Sequence, residues 1–315
     1  MIPKGIGHDM LNASLTRPVL IALALLALGA LAVACGSKDE PAAGGQVRVV
    51  ASLALFADFI QNVGGDRVEV TALVPADADP HTYEPAPSQV AKVTKADLVV
   101  INGLGLEQTL HDLIYNNVRG GVPIVEMANG LPVLAGDPEE GETGNPHLWL
   151  NVQYAMHYVE SIRDGLIEVD PSGADAYRAN AATYLEELDA LDKEVATAME
   201  SIPAERRKLV TFHDAFPYFA ERYGLEVVGV AVESPGREPS ARELAHLTDE
   251  IRAQDVPTVF AEPEYDPKML ETVAGDAGVQ VKTLLSHAFT SDVHSYVELM
   301  RFDAQQLKEG LGLPQ

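Results

Sequence analysis

Cysteine is almost missing from this chain: Cys35 is the only one among 315 residues. A single thiol excludes intrachain disulfides and any thiolate-rich metal centre. Basic residues are scarce as well, 22 lysines and arginines against 47 aspartates and glutamates. The resulting formal net charge of -25 repels phosphate backbones and attracts cations, so nucleic acid is excluded as a partner. Long apolar runs are lacking: the stretch Val19 to Val33 is shorter than the about twenty residues that a membrane-spanning helix needs. There is no repeat of fixed period and no H-E-x-x-H pair of the kind that places zinc and a general base on one helix. What is present, 47% hydrophobic residues with ordinary glycine and proline counts, suffices for two packed domains.

The first residues read as an address. Lys4 and Arg17 supply a positive region, the uncharged run Val19 to Val33 follows, and small residues lead to Cys35. Residues 1–34 are therefore expected to be a signal peptide. The segment Leu31-Ala32-Val33-Ala34-Cys35 resembles the lipobox of bacterial lipoproteins, with Ala32 where leucine is usual, which makes Cys35 the expected lipidation site. An ordinary signal peptide with a stray cysteine is the alternative. Residues 35–46, rich in glycine, alanine and charge, then form a tether.

From Val47 short β-branched runs alternate with helical segments, the pattern of a mostly parallel sheet covered by helices. Strands are expected at Val47 to Ser52, Arg67 to Val74, Asp97 to Asn102 and Pro123 to Met127, and after a break at Lys208 to Phe212, Glu226 to Val232, Thr258 to Ala261 and Gln280 to Leu285. Helices fall between them, including Glu107 to Val118 and Val152 to Val169. The break is a stretch from Asp170 to Ile202 in which Tyr177, Ala181, Tyr184, Leu188, Leu191, Val195 and Ala198 keep helical spacing. Asp170 before Pro171 is the expected cap, and Pro203 the stop. Such a rod, roughly 45 Å long at 1.5 Å per residue, spans two bodies. A surface helix of a single domain is the bland alternative. The fold class is thus α/β: two similar lobes, residues 47–169 and 203–315, each a four-stranded mostly parallel sheet, joined by one long α-helix over residues 170–202.

Of nine histidines, His8 leaves with the signal, and His111, His157, His246 and His294 lie in or at the start of helices, where half-exposed surface histidine is the default. The other four, His81, His147, His213 and His287, each sit in a loop, three of them just beyond a strand. In open α/β sheets ligands gather at the carboxyl ends of strands, so two histidines per lobe can converge in the cleft between lobes. Proline before His81 and His147 stiffens both loops. Histidine-rich, sulfur-free coordination suits Zn²⁺ and its first-row neighbours, whereas Mn²⁺ prefers more oxygen.

The segments Asp79 to Ser88 (DPHTYEPAPS), Ile101 to Glu107 (INGLGLE), Asn145 to Leu150 (NPHLWL) and Phe212 to Tyr223 (FHDAFPYFAERY) resemble those of the zinc/manganese-binding solute-binding proteins of bacterial ABC transporters. The resemblance runs from about Val47 to the C-terminus. It implies one metal ion between two α/β lobes, little hinge closure, a monomer exported and lipid-anchored on the outer face of the cytoplasmic membrane, and delivery of the ion to a permease driven by an ATPase. By motif match His81, His147 and His213 are ligands, and histidine at position 213 is the zinc-type choice, with a manganese-type carrier as the alternative. His287 stands where the family usually has aspartate, which leaves His287 itself or Asp292 as the fourth ligand. Asn145 and Asn151 replace common aspartates. The acidic loop Ala135 to Gly144 carries no histidine, unlike the histidine-rich loop of many zinc members, and reads as solvated. The competing class is a secreted zinc hydrolase using Glu233, Glu262 or Glu264 as general base. A four-histidine cage leaves it no open coordination position, so the protein is not expected to be an enzyme.

Overall fold

This computed structural model describes residues 45–135, 144–232 and 235–313. Cys35, the acidic loop over residues 136–143 and Glu233 lie outside the described residues. Strand β1 (Val47–Leu53) is buried along its length apart from Arg48, as a central parallel strand covered on both faces must be. It runs directly into α1 (Ala54–Gly64), which turns Phe56, Phe59, Ile60 and Val63 inward and stops at Gly65, whose φ of 55° suits glycine. Then follow β2 (Val68–Val74), α2 (Val90–Lys95), β3 (Leu98–Ile101), α3 (His111–Tyr115), β4 (Ile124–Glu126) and α4 (Val152–Val169). The long helix is α5 (Ala174–Glu200), 27 residues. The second lobe contains β5 (Lys208–Thr211), α6 (Pro217–Tyr223), β6 (Glu226–Val230), α7 (Ala241–Ala253), β7 (Thr258–Ala261), α8 (Lys268–Ala277), β8 (Gln280–Thr283) and α9 (Tyr296–Leu311).

Both sheets are four-stranded and parallel, in the orders β2-β1-β3-β4 and β6-β5-β7-β8. The two orders are the same pattern, so each lobe has its chain reversal between its first and third strands. Ligands bind outside the carboxyl ends of strands at such a reversal. The fully buried strands β3 and β7 sit at that position in the two lobes.

The two-lobe α/β expectation is met, with local differences. Asp170 does not cap the long helix: its carboxylate takes Arg67 (2.6 Å), Ser172 (2.6 Å) and the Tyr177 hydroxyl (2.7 Å) instead. A single 3₁₀ turn over Pro171–Gly173 precedes α5. The segment expected to be helical over Glu107 to Val118 yields only the five residues of α3, after a 3₁₀ turn at Gln108–Leu110. The carboxylate of Glu107 explains the shortfall, because it is drawn into the core rather than left on a helix face. The capping box of Ser240 and Glu243 forms as its spacing suggests.

Helix α5 is held by both lobes. Its Asn180 donates to the Val63 carbonyl at 3.0 Å in the first, and its buried Asp192 takes Arg222 and the Tyr223 hydroxyl (2.9 Å) from the second. Its apolar stripe, Tyr177, Ala181, Tyr184, Leu188, Leu191, Val195 and Met199, belongs to one core shared with α1, α4, α6 and α9. A smaller apolar cluster, with Leu247, Ile251, Val259, Leu270 and Val273, fills the outer side of the second sheet.

Candidate metal centre

His213 follows β5 by two residues and Glu262 follows β7 by one. The register pairs Thr211 with Phe260, so residues 213 and 262 stand opposite each other across the chain reversal. His213 Nδ1–H donates to Glu262 Oε1 at 2.9 Å, and both side chains are completely buried. One strand further, Ala261 pairs with Thr283, which sets Glu264 opposite Ser286. The Ser286 hydroxyl donates to Glu264 Oε1 at 2.9 Å.

His147 comes from the first lobe, on the segment that leads into α4. Asn145 Oδ1 accepts from the His147 backbone N–H (3.1 Å) and ring Nδ1–H (3.0 Å), while its amide nitrogen donates to the Asp214 carbonyl at 2.7 Å. That donor contact identifies which end of the amide faces the ring, and so the tautomer. Tyr218 of α6 ties the same segment from the other lobe, its hydroxyl donating to the Asn145 carbonyl at 2.9 Å. Behind it, Asn102 donates to the Pro146 carbonyl at 2.9 Å. The turn Gly103, Leu104, Gly105 (φ 90°, 59° and 91°) brings Glu107 back beneath β3. There the carboxylate gathers the Ser52 hydroxyl and the Asn102 and Gly103 N–H groups. Burial pushes Glu107 up to about 7 despite those bonds. Asn151, the second asparagine in a family aspartate position, caps α4 through Gln153 N–H and does not touch the histidines.

His81 arrives on the loop after β2, half-buried, in a turn made by Asp79, which accepts from the His81 N–H (3.0 Å) and the Thr82 hydroxyl (2.8 Å). The three rings meet through their Nε2 atoms: His81 to His147 at 3.3 Å, and His213 to His147 at 3.2 Å. With Nδ1–H spent on oxygen acceptors, the Nε2 atoms of His147 and His213 face each other at 3.2 Å, an arrangement that a shared proton or a metal cation between them makes favourable. Burial first, and then the neighbouring rings, hold His147 well below the usual histidine range and pull His81 down to about 3. Burial lowers His213 too, but the charge and hydrogen bond of Glu262 outweigh it and raise this ring.

The fourth expected histidine is adjacent but differently engaged. His287 Nε2 lies 3.1 Å from the Ala78 carbonyl, and its Nδ1 lies 3.0 Å from Ser286 Oγ and 3.4 Å from Glu264. Among the described residues, the one group of three or more potential metal-ligating side chains whose ligand atoms all lie within 4.8 Å of one another is His81, His147 and His213. Asp292 is exposed on the following loop, with its N–H on Thr290 Oγ1. His111 stacks on Tyr115, His157 bonds the Asn129 carbonyl, His246 is exposed beside Glu250, and the His294 N–H donates to Glu298. Glu262 and Glu264, weighed above as hydrolytic bases, are instead buried behind His213 and His287. Their supporting role was hidden in the sequence because it depends on strand register.

Residues 49–310 match the family described as zinc-uptake complex component A, periplasmic. The chain is 33% identical over 301 residues to the manganese-binding lipoprotein MntA of Halalkalibacterium halodurans, covering 94% of this chain and 99% of that one. It is 31% identical over 306 residues to the manganese ABC transporter substrate-binding lipoprotein PsaA of Streptococcus anginosus, covering 93% and 97%. Among solved structures, the Mn-bound periplasmic metal-binding protein of Candidatus Liberibacter asiaticus superposes with a TM-score of 0.77 at 27% identity, covering 84% of this chain and 100% of that one. A crystal structure of ZnuA gives 0.76 at 31% identity, covering 85% and 100%.

Proposed function

The chain belongs to the zinc-uptake component A family of metal-binding substrate-binding proteins, which serve ABC transporters rather than catalyse reactions, and we propose that its cargo is Zn²⁺. The observation that carries this reading is the spacing of the three Nε2 atoms. Two nitrogen ligands of tetrahedral zinc, each about 2.05 Å from the metal, stand about 3.3 Å apart. The separations here are 3.3 and 3.2 Å. His81, His147 and His213 are the proposed ligands. His287 is the proposed fourth, on rotating away from the Ala78 carbonyl, with Asp292 as the alternative.

A nitrogen-only ring favours zinc over manganese, which binds better where oxygen ligands predominate. The manganese reading keeps support from the names of the relatives MntA and PsaA. Delivery would be to a permease coupled to an ATPase, by a monomer exported through residues 1–34 and lipid-anchored at Cys35 on the outer face of the cytoplasmic membrane. The relatives' names as lipoproteins support that anchor. No helix among the described residues is long and apolar enough to cross a membrane. Elemental analysis of protein purified without added metal, followed by direct competition between Zn²⁺ and Mn²⁺, tests the proposal. Preferential retention of Mn²⁺ at equal concentrations would overturn the zinc assignment.

A further inference from the structure

Orientation of a ligand histidine needs only an acceptor at Nδ1, and His147 shows this, because the neutral amide oxygen of Asn145 holds it at 3.0 Å. His213 is held at nearly the same distance, 2.9 Å, by a carboxylate whose burial is complete. Burying that charge is costly. It is not fully compensated either: Glu262 Oε2 is buried with no hydrogen-bond partner among the described residues, as are Glu264 Oε2 and Asp303 Oδ2 nearby. An amide, as at position 145, would hold the ring at nearly the same distance without a buried carboxylate, so the carboxylate at position 262 points to a use beyond orientation.

We propose that Glu262 is a positioning residue for metal capture, which keeps His213 in the Nδ1–H tautomer and, by its charge, strengthens Nε2 as a donor to the cation. This rests on the reading of the three-histidine ring as the metal site. A carboxylate behind a ligand imidazole fixes the ring and raises its basicity, and removing such a partner lowers metal affinity about 10–100-fold. Of His147 and His213, the ring with a carboxylate at Nδ1 is the one from the second lobe, which makes it the stronger ligand of the two. Tyr265, stacked on Phe212 (ring centroids 4.4 Å), packs edge-on against the same His213 ring (5.4 Å).

The test uses the full chain, stripped of metal with a chelator, as wild type, Glu262→Gln, Glu262→Ala and His213→Ala. Zn²⁺ affinity is measured by competition with a chromophoric chelator, Co²⁺ spectra are recorded as a report on ligand field, and metal-free melting temperatures are compared. Glu262→Gln keeps an acceptor but removes the charge. It is expected to lose 10–100-fold in Zn²⁺ affinity and to shift the Co²⁺ bands, while its metal-free melting temperature stays level or rises. Glu262→Ala should lose more affinity than Glu262→Gln, since the tautomer is also released. Wild-type Zn²⁺ affinity in Glu262→Gln, or a fall in its metal-free melting temperature with unchanged Co²⁺ bands, would overturn the proposal and leave a purely structural role. His213→Ala separates the two ideas: undiminished Zn²⁺ binding there would remove the ring reading itself, whatever Glu262 does.

Discussion

His147 Nε2 lies within 3.3 Å of the Nε2 atoms of both His81 and His213, so His147→Ala perturbs the site directly. The substitution leaves the main-chain contact to Asn145 Oδ1 in place, and α4 retains its Asn151 cap, so the lobe should fold. Loss of a direct ligand should exceed loss of a ligand's supporting partner, which puts the cost at or beyond about 100-fold in affinity, or about 2.7 kcal/mol. Free zinc at about 1,000 times the wild-type dissociation constant stabilises the wild type by about 4.1 kcal/mol. At the same zinc concentration a hundredfold weaker variant sits at about ten times its own constant and gains only about 1.4 kcal/mol. At about 2–4 °C per kcal/mol for a domain of this size, the zinc-induced rise in melting temperature should shrink by roughly 5–11 °C. Differential scanning calorimetry with and without zinc measures it, with the metal-free variant as its own baseline. A zinc-induced rise equal to that of the wild type would refute the claim that these three Nε2 atoms hold the ion.

The effect of zinc should also depend on pH, with a sign set by two opposing groups of histidines. His81 and His147, lowered in the folded protein, favour the neutral form and lose stability as pH falls below about 6.5; His213, raised, contributes stability below about 6.5 that is lost as pH rises through its folded value. Zinc must displace the proton of His213, so the zinc-induced melting shift should be large at pH 7.5 and much smaller at pH 5, and an equal shift at both would count against histidine ligation. For the fourth ligand, isothermal titration should show weaker zinc binding for His287→Ala than for Asp292→Ala; the reverse order would transfer the role to Asp292. Asp192→Ala should lower metal-free stability by about 2–3 kcal/mol in chemical denaturation, less than for a fully buried pair because the Arg222 side chain is 29% exposed. A midpoint matching the wild type would show that this cluster does not fasten α5 to the second lobe.

Much of this molecule is determined by local chemistry and was therefore legible residue by residue. Alternation of β-branched runs with amphipathic segments dictates parallel α/β lobes, because strands as apolar as Leu98–Ile101 must be covered on both faces. The uninterrupted stripe from Tyr177 to Val195 dictates a long helix, since its spacing has no other regular solution. Three of four loop histidines could be placed together for the same reason: parallel strands deliver their carboxyl ends to one edge. Other features were settled only by tertiary structure. Whether Asp170 would cap a helix or bind Arg67 turned on a residue 103 positions away. The sequence offered Asn145 only as a missing aspartate, yet its amide both sets the His147 tautomer and reaches across to Asp214. In the sequence Glu262 and Glu264 are simply acids near strand ends, and nothing in their spacing points to His213 and Ser286. Their pairing follows from the register between β5, β7 and β8, which is set by packing of whole strands against helices and is invisible to any local pattern.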